Sequence, residues 1–325
     1  MQRTQYSVLR DPIHGDIYLT AEEMRLIDTR EFQRLRGVKH LGTANLVFPG
    51  AVHTRFEHSI GTLHITAKII DAINLNAEFD PKRCYEQIFS TKTELGRMLK
   101  EMGLAKDVCS VLSYENGGGN IPAYWSEILS DTICSDIVDY LLRDAYFTGL
   151  SLTIDQRLVS YFKVDRKSGH LFIDVAKRDL LREDILSELV RLLEARYYFS
   201  ERVYYHHAKV AAGALISRAV GLLFEAGTLE SSELFDRTDA SLLPLLDMAG
   251  TKAGGDVERE VRHLVERFRR RRLPKRVCVF PAHENEEVQQ ELVAKYFAPG
   301  CAPERRKVEE SISDLLRFAT GKTVR

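Results

Sequence analysis

No histidine in this chain is followed by aspartate, although there are ten histidines in 325 residues. Composition alone gives that absence no meaning; the motifs around it do. Cysteine is scarce and scattered. Cys84, Cys109, Cys134, Cys278 and Cys301 form no C-x-x-C pair, and their number is odd. That argues against a disulfide framework or a cysteine zinc site and reads as reduced thiols in or near the core. No apolar run approaches the length of a membrane span. Residues 1–10 are polar, without the apolar stretch of a signal peptide. The expectation is a cytoplasmic protein with no membrane partner. Neither sign of charge is in excess: Lys plus Arg is 46, Asp plus Glu is 47, and the formal net charge is -1. Nothing global therefore draws the chain to nucleic acid. What is present is ordinary globular composition, 44% hydrophobic and 29% charged, with apolar mass for one large domain or two modest ones.

The residue pattern is mainly helical. Residues 6–20 (YSVLRDPIHGDIYLT) read as strand, Pro-Gly turn and strand. A helix follows, with Thr20 as N-cap and Glu23 three residues on, a capping-box spacing. Asp28-Thr29 can cap a second short helix, and Phe48-Pro49-Gly50 breaks the chain. From His53 to about Asn76 the pattern is helical again, and Ile60, Leu63, Ala67, Ile70 and Ile73 mark one face. Helices are expected over 92–114 and 123–148, divided by the glycine-rich loop 115–120. A β-hairpin is expected over 158–175 and long helix over 178–225. Shorter helices fill 226–256, 256–272, 284–297 and 304–319, with a strand at KRVCVF. The expected fold is mainly α, with small β-hairpins at the N-terminus and mid-chain. The expected domains are 1–225 and a helical region 226–325.

Three constellations can carry chemistry. In the first, His53, Arg55, Glu57 and His58 fall within six residues at a helix entrance. A helix N-terminus attracts anions, arginine grips phosphate bidentately, and histidine holds a metal or shuttles a proton. The plainer alternative is a set of exposed cap residues around one satisfied core histidine. In the second, DTICSDIVDYLLRDAYFTG, Asp136, Asp139 and Arg143 share roughly one helical face, with Asp144 beside them. Buried carboxylates need a metal or a cation; the plainer alternative is an Asp139–Arg143 ion pair on a solvated face. In the third, EARYYFSERVYYHHAK, Arg196, Arg202, Tyr204, His206, His207 and Lys209 offer cations for phosphate and rings for a base or sugar. The alternative there is an amphipathic helix with an aromatic core stripe.

The run DPIHG-x-I, IDT-x-x-FQRLR, FPGA-x-H-x-RFEHS-x-G resembles the N-terminal signature of HD-superfamily phosphohydrolases. It is most similar to the deoxynucleoside triphosphate triphosphohydrolase branch. The second constellation resembles that family's D-x-x-DY-x-x-RD signature, and the resemblance covers residues 6–220. It implies an HD-type helical fold that hydrolyses a (deoxy)nucleoside triphosphate to nucleoside and triphosphate. It implies a divalent metal (Mg, Mn, Fe or Zn) held in part by His58 and Asp136. Arg55, Arg143 and Arg196 would neutralise phosphate charge. Tyr204 would flank the nucleoside, with Tyr140, Asp144 and His206 lining or supporting the pocket. His53 and Glu57 would move a proton or position His58. Homo-oligomers and a nucleotide effector are also implied. Two departures stand out. His40 replaces the glutamine common before Leu-Gly, where it would meet the sugar, and Ile137 replaces a common basic residue.

The family takes its name from a consecutive His-Asp on a helix between those two signatures, and no such run exists here. The natural junction is near Arg83–Tyr85, where several tens of residues are missing. Either the chain is a degenerate member that lost its metal centre, or a segment has been removed from it; the abruptness favours the second. His58 and Asp136 alone would bind a metal weakly, so little or no triphosphohydrolase activity is expected of this chain. A catalytically inactive nucleotide sensor or scaffold is the competing class. Nine Lys or Arg lie between Arg259 and Arg276, including Arg269 to Arg272. Interleaved glutamates and few aromatics favour a salt-bridged helix face, with an effector nucleotide or nucleic acid as lesser alternatives.

Overall fold

The computed structural model describes residues 7–76, 93–112, 121–178, 180–276, 282–298 and 301–320. Strand β1 (Ser7–Asp11) pairs antiparallel with β2 (Gly15–Leu19). The turn between them is held by Asp11, whose carboxylate accepts from the backbone N–H groups of Ile13 and His14, both at 2.9 Å. Gly15 supplies the left-handed conformation that closes it (φ 78°). Thr20 and Glu23 form the expected capping box at the start of α1 (Ala21–Ile27). The helix then stops at Asp28. Thr29 begins α2 (Arg30–Arg34) without a side-chain cap, and a 3-10 turn (Leu35–Gly37) ends it.

Two long elements frame the site. Helix α3 (Arg55–Asn76) and helix α7 (Ser135–Thr148) pack along each other. Each of the two helices expected over 92–114 and 123–148 is divided, the first into α4 (Glu94–Glu101) and α5 (Ala105–Leu112), broken at Gly103 (φ 73°), the second into the short α6 (Ala123–Glu127) and α7. The expected apolar face of α3 is partly displaced. Phe56 and Ile60 enter a small core with Ile17, Leu19 and Ile27. Ile65, Ile69 and Ile73 enter a second core with Val138, Val159 and Phe162, and Ala67 is exposed. One helix serves two cores on different sides, so no single stripe describes it.

The mid-chain hairpin forms as β3 (Phe162–Val164) and β4 (Leu171–Ile173), followed by an unexpected second hairpin, β5 (Ala176–Lys177) with β6 (Leu180–Leu181). The expected long helix over 178–225 is two: α8 (Glu183–Phe199) and α9 (His207–Glu225), joined by a single π turn, Ser200–Tyr204. Helices α9, α10 (Asp239–Ala253) and α11 (Gly255–Arg269) build a separate core around Leu223, Leu246 and Val261. By length and composition α9 is apolar enough to cross a membrane, contrary to expectation; Ala212, Leu215, Ala219, Leu222 and Leu223 along it are buried. The chain divides into two compact units, Met1–Pro274 and Lys275–Arg325. The second contains α12 (Ala282–Leu292), a π turn (Val293–Phe297) and α13 (Ala302–Thr320). The loop expected at 115–120, the junction near Arg83–Tyr85 and most of the KRVCVF strand lie outside the described residues.

The approach of α3 to α7 depends on Gly61. A methyl group there would overlap the Asp139 carboxylate and the Arg143 guanidinium. Gly61→Ala must therefore part the helices or break the buried ion pair. It is expected to cost about 3–5 kcal/mol in chemical denaturation. Gly213→Ala in α9, where a methyl meets open space, is expected to be neutral or stabilising by about 0.5–1 kcal/mol.

Candidate functional site

The site grows from one carboxylate. Asp139 lies on α7 with no exposed side-chain surface and accepts hydrogen bonds on both oxygens. Arg143, one helical turn on, donates to it through Nε and Nη2, both at 2.9 Å. His14 donates from Nε2 at 2.6 Å and His58 from Nδ1 at 2.8 Å. These donors hold its carboxyl well below the usual carboxylate range, against the opposing effect of burial. Arg143 is itself fully buried, and its Nη1 donates to Asp11 at 2.8 Å. The β1–β2 turn, α3 and α7 are thus tied by one ionic network. The Asp139–Arg143 pair exists as the sequence suggested, but in the interior rather than on a solvated face. Being enclosed there, Arg143 has no exposed surface from which to meet a phosphate.

His58 sits at the first turn of α3 between two carboxylates. Its Nε2 donates to Asp136 at 2.8 Å, while Nδ1 serves Asp139. Burial works against its charge, but the hydrogen bonds to Asp136 and Asp139 outweigh it and push the pKa up to about 9. Asp136 is the open edge of the cluster, with 45% of its side chain exposed. His40 lies against His58, with ring centroids 4.1 Å apart. It is placed there by antiparallel backbone pairing, in which the N–H of His40 donates to the carbonyl of His53 and that of Arg55 to Val38. Burial, with His58 adding to it, lowers the His40 pKa to about 4. His64, whose ring is 5.1 Å from that of His14, is also lowered to about 4 by burial and by Lys68.

A second cluster adjoins the first. Asp144, fully buried, accepts from His53 Nε2 at 2.8 Å and from the Tyr204 hydroxyl at 2.6 Å. His53 stacks on Phe147 at 4.6 Å. Tyr204, delivered by the π turn after α8, packs edge-on against Tyr140 at 5.9 Å. Burial pushes the Tyr140 hydroxyl up to about 12, opposed by Arg196. Lys209 donates to the Tyr204 carbonyl at 3.2 Å, and burial lowers its pKa. Arg55 and Arg196 are exposed. Glu57 is spent on the start of α3, accepting from the Thr54 hydroxyl at 2.8 Å and from the Thr54 N–H. His206 caps α9, its Nδ1 accepting from the N–H of Ala208.

The structure thus gathers His40, His53, His58, Asp136, Tyr140, Arg143, Asp144 and Tyr204 around the α3–α7 seam. It assigns Glu57 and His206 to helix caps. Sequence reasoning missed Asp11, His14 and His64 as members and left Asp139 open between a buried carboxylate held by a cation and a surface ion pair. Asp11 and His14 stood within the quoted DPIHG motif, whereas nothing local marked His64. Cavities of about 310, 450 and 470 Å³ lie against α10–α11, behind the β1–β2 turn and beside α3, and no residue of the cluster lines them. The arginine run is locally paired: Arg269 with Asp247, Arg270 with Glu266, and Arg271 with the Leu46 carbonyl.

The donor set does not fit a resident metal. Both ring nitrogens of His58 are engaged by carboxylates, and Asp139 has both oxygens occupied. The buried imidazole nitrogens without a partner among the described residues belong to His14, His40, His53 and His64. Among those residues no three His, Cys, Asp or Glu side chains converge as a metal site.

A family profile described as an HD associated region matches residues 176–319. An uncharacterized protein of Methanocaldococcus jannaschii, MJ1154, is 31% identical over 84% of this chain and 60% of its own length. A Dictyostelium discoideum protein, described as a deoxynucleoside triphosphate triphosphohydrolase SAMHD1 homolog, is 30% identical over 63% of this chain and 47% of its own. Human deoxynucleoside triphosphate triphosphohydrolase SAMHD1 is 50% identical over 66 residues, 20% of this chain and 10% of that protein. These matches show a resemblance to HD-superfamily dNTP triphosphohydrolases. The chain spans about half to three-fifths of the lengths of the first two relatives. The Dictyostelium alignment runs over 251 positions but engages only 63% of this chain, so that relative carries residues in the matched region with no counterpart here.

The histidines set opposing pH limits on the metal-free fold. His58, raised to about 9, contributes stability that is complete below its ordinary 6.5 and is lost as pH rises through 9. His40 and His64, lowered to about 4, are buried neutral; their contribution is complete above 6.5 and falls as pH drops toward 4. Denaturation midpoints in EDTA are expected to peak near pH 6.5, and His58→Gln is expected to flatten the alkaline arm. A midpoint that keeps rising from pH 6.5 to 9 would contradict this.

Proposed function

We propose that this chain is a nucleotide-binding HD-type domain whose parent chemistry is hydrolysis of a (deoxy)nucleoside triphosphate to nucleoside and triphosphate, and that it binds the nucleotide without hydrolysing it. The observation that carries the reading is the Asp144 cluster. A buried carboxylate fixes His53 and also Tyr204, which packs against Tyr140, while the exposed Arg196 acts electrostatically on the Tyr140 hydroxyl. Aromatic rings suit a nucleoside, and the free guanidinium suits its phosphates. Arg55 at the first turn of α3 and the cation Lys209 add to the field. The relatives described as dNTP triphosphohydrolases support the substrate class.

Catalysis of this class uses a divalent metal, for which His58 and Asp136 would be the expected ligands by resemblance. Because the donors described do not fit one, no water-activating step is assigned to them. Self-association of the chain belongs to the same reading. Leu186, Val190, Leu193 and Tyr197 form an exposed apolar stripe on α8, on the side away from buried Ile185, Leu192 and Ala195.

Equilibrium binding of dGTP, dATP, dCTP and dTTP tests the proposal. At least one is expected to bind, and Arg196→Ala or Tyr204→Ala is expected to weaken it by about tenfold or more. A triphosphate-release assay on the same samples is expected to stay at background. Absence of binding to all four, or turnover by this chain, would refute the reading. Sedimentation velocity of the same protein reports its assembly, and a monomer at all concentrations would remove the self-association part.

A further inference from the structure

The His58 ring occupies an unusual position for a metal ligand. A ligating imidazole keeps one nitrogen lone pair for the ion and donates from the other nitrogen to a carboxylate or carbonyl. Here both nitrogens face carboxylate oxygens at 2.8 Å, one from Asp136 and one from Asp139. Carboxylates offer only acceptors, so both nitrogens serve as donors. Asp139 is saturated in turn, with His14 and Arg143 completing both its oxygens. The charges along the seam already alternate, from the buried pairs out to the exposed edge at Asp136. Asp11 faces Arg143, Arg143 faces Asp139, Asp139 faces His58, and His58 faces Asp136.

We infer that His58 acts as a bridging cation between Asp136 and Asp139, so that the α3–α7 seam is neutralised by the protein's own side chains and holds no resident divalent metal. The ring performs the structural part of an ion's work. It brings two carboxylates of one helix, the enclosed Asp139 and the half-exposed Asp136, to the first turn of another and offsets their charge, which the buried Asp139 in particular requires. Its Cβ anchor at the first turn of α3 and the absent side chain at Gly61 let the two helices approach closely enough for both contacts. The unpartnered nitrogens of His14, His40, His53 and His64 do not supply an alternative ligand set, because no three such donors converge among the described residues. The inference concerns the same cluster as the proposed nucleotide site, but it is read without nucleotide, so the two can fail separately.

The test uses the whole chain and metal salts alone. Protein is incubated with MnCl2, ZnCl2 or MgCl2, desalted and analysed by elemental mass spectrometry. The expected result is below about 0.1 equivalent of any ion, or a quantity that Asp136→Asn leaves unchanged, which would place the ion elsewhere. About one equivalent that is lost in Asp136→Asn would overturn the inference. A double-mutant cycle of His58→Gln and Asp136→Asn, read as thermal midpoints in EDTA, tests the direct contact. The two substitutions together are expected to lower the midpoint by clearly less than the sum of their separate shifts. Simple additivity in EDTA would show that the residues do not pair without a metal, and would also overturn it.

Discussion

The seam between α3 and α7 rests on the buried Asp139 carboxylate. Four hydrogen bonds from three side chains converge on it, and each donor comes from a different stretch: His14 from the β1–β2 turn, His58 from α3, Arg143 from α7 itself. A buried carboxylate is tolerated only where cations and donors surround it. Its presence therefore constrains the closeness of the helices, the glycine at position 61 and the tight turn through Asp11. Asp144 repeats the principle one turn further along α7, with His53 and Tyr204 as its donors. A single helix thus projects two buried anions, and the rest of the cluster is the set of groups that satisfies them.

This electrostatic logic bears on function. In a site built around an ion, carboxylates and histidines keep lone pairs pointing at a common centre. In this chain they point at one another. The relatives include proteins described as dNTP triphosphohydrolases, and Tyr140 and Tyr204 pack edge-on near the seam, with Arg196 exposed. Recognition of a nucleotide and activation of water use different groups, so the proposed binding reading does not depend on a metal at His58 and Asp136.

Much of the fold was legible in the residues because its signals are local. The capping box at Thr20, the hairpin around residues 158–175 and the helix from His53 follow from spacing within a few residues. Breaks were harder. The π turn at Ser200–Tyr204 interrupts a pattern that reads as continuous helix, and its reason lies in Tyr204 reaching Asp144, sixty residues away. The inward face of α3 was read only in part: Ile60, Leu63, Ile70 and Ile73 do pack inward, but Ala67 is exposed and Ile65 and Ile69 were missed, since two cores claim different sides of one helix.

The site divides in the same way. Sequence alone identified Arg55, His58, Asp136, Arg143 and Tyr204 as residues worth attention, because helix entrances and i,i+3/i,i+4 spacing are encoded locally. It also determined the missing His-Asp step, which no folding can restore. Tertiary structure decided what each group does. It buried Arg143 and Asp139 together, turned Glu57 into a cap, and brought His14 from the β1–β2 turn to the helix pair, where it meets Asp139 and the His64 ring of α3. Burial and partner identity set whether a charge is free for a ligand or consumed by a neighbour, and both are properties of segments far apart in the chain.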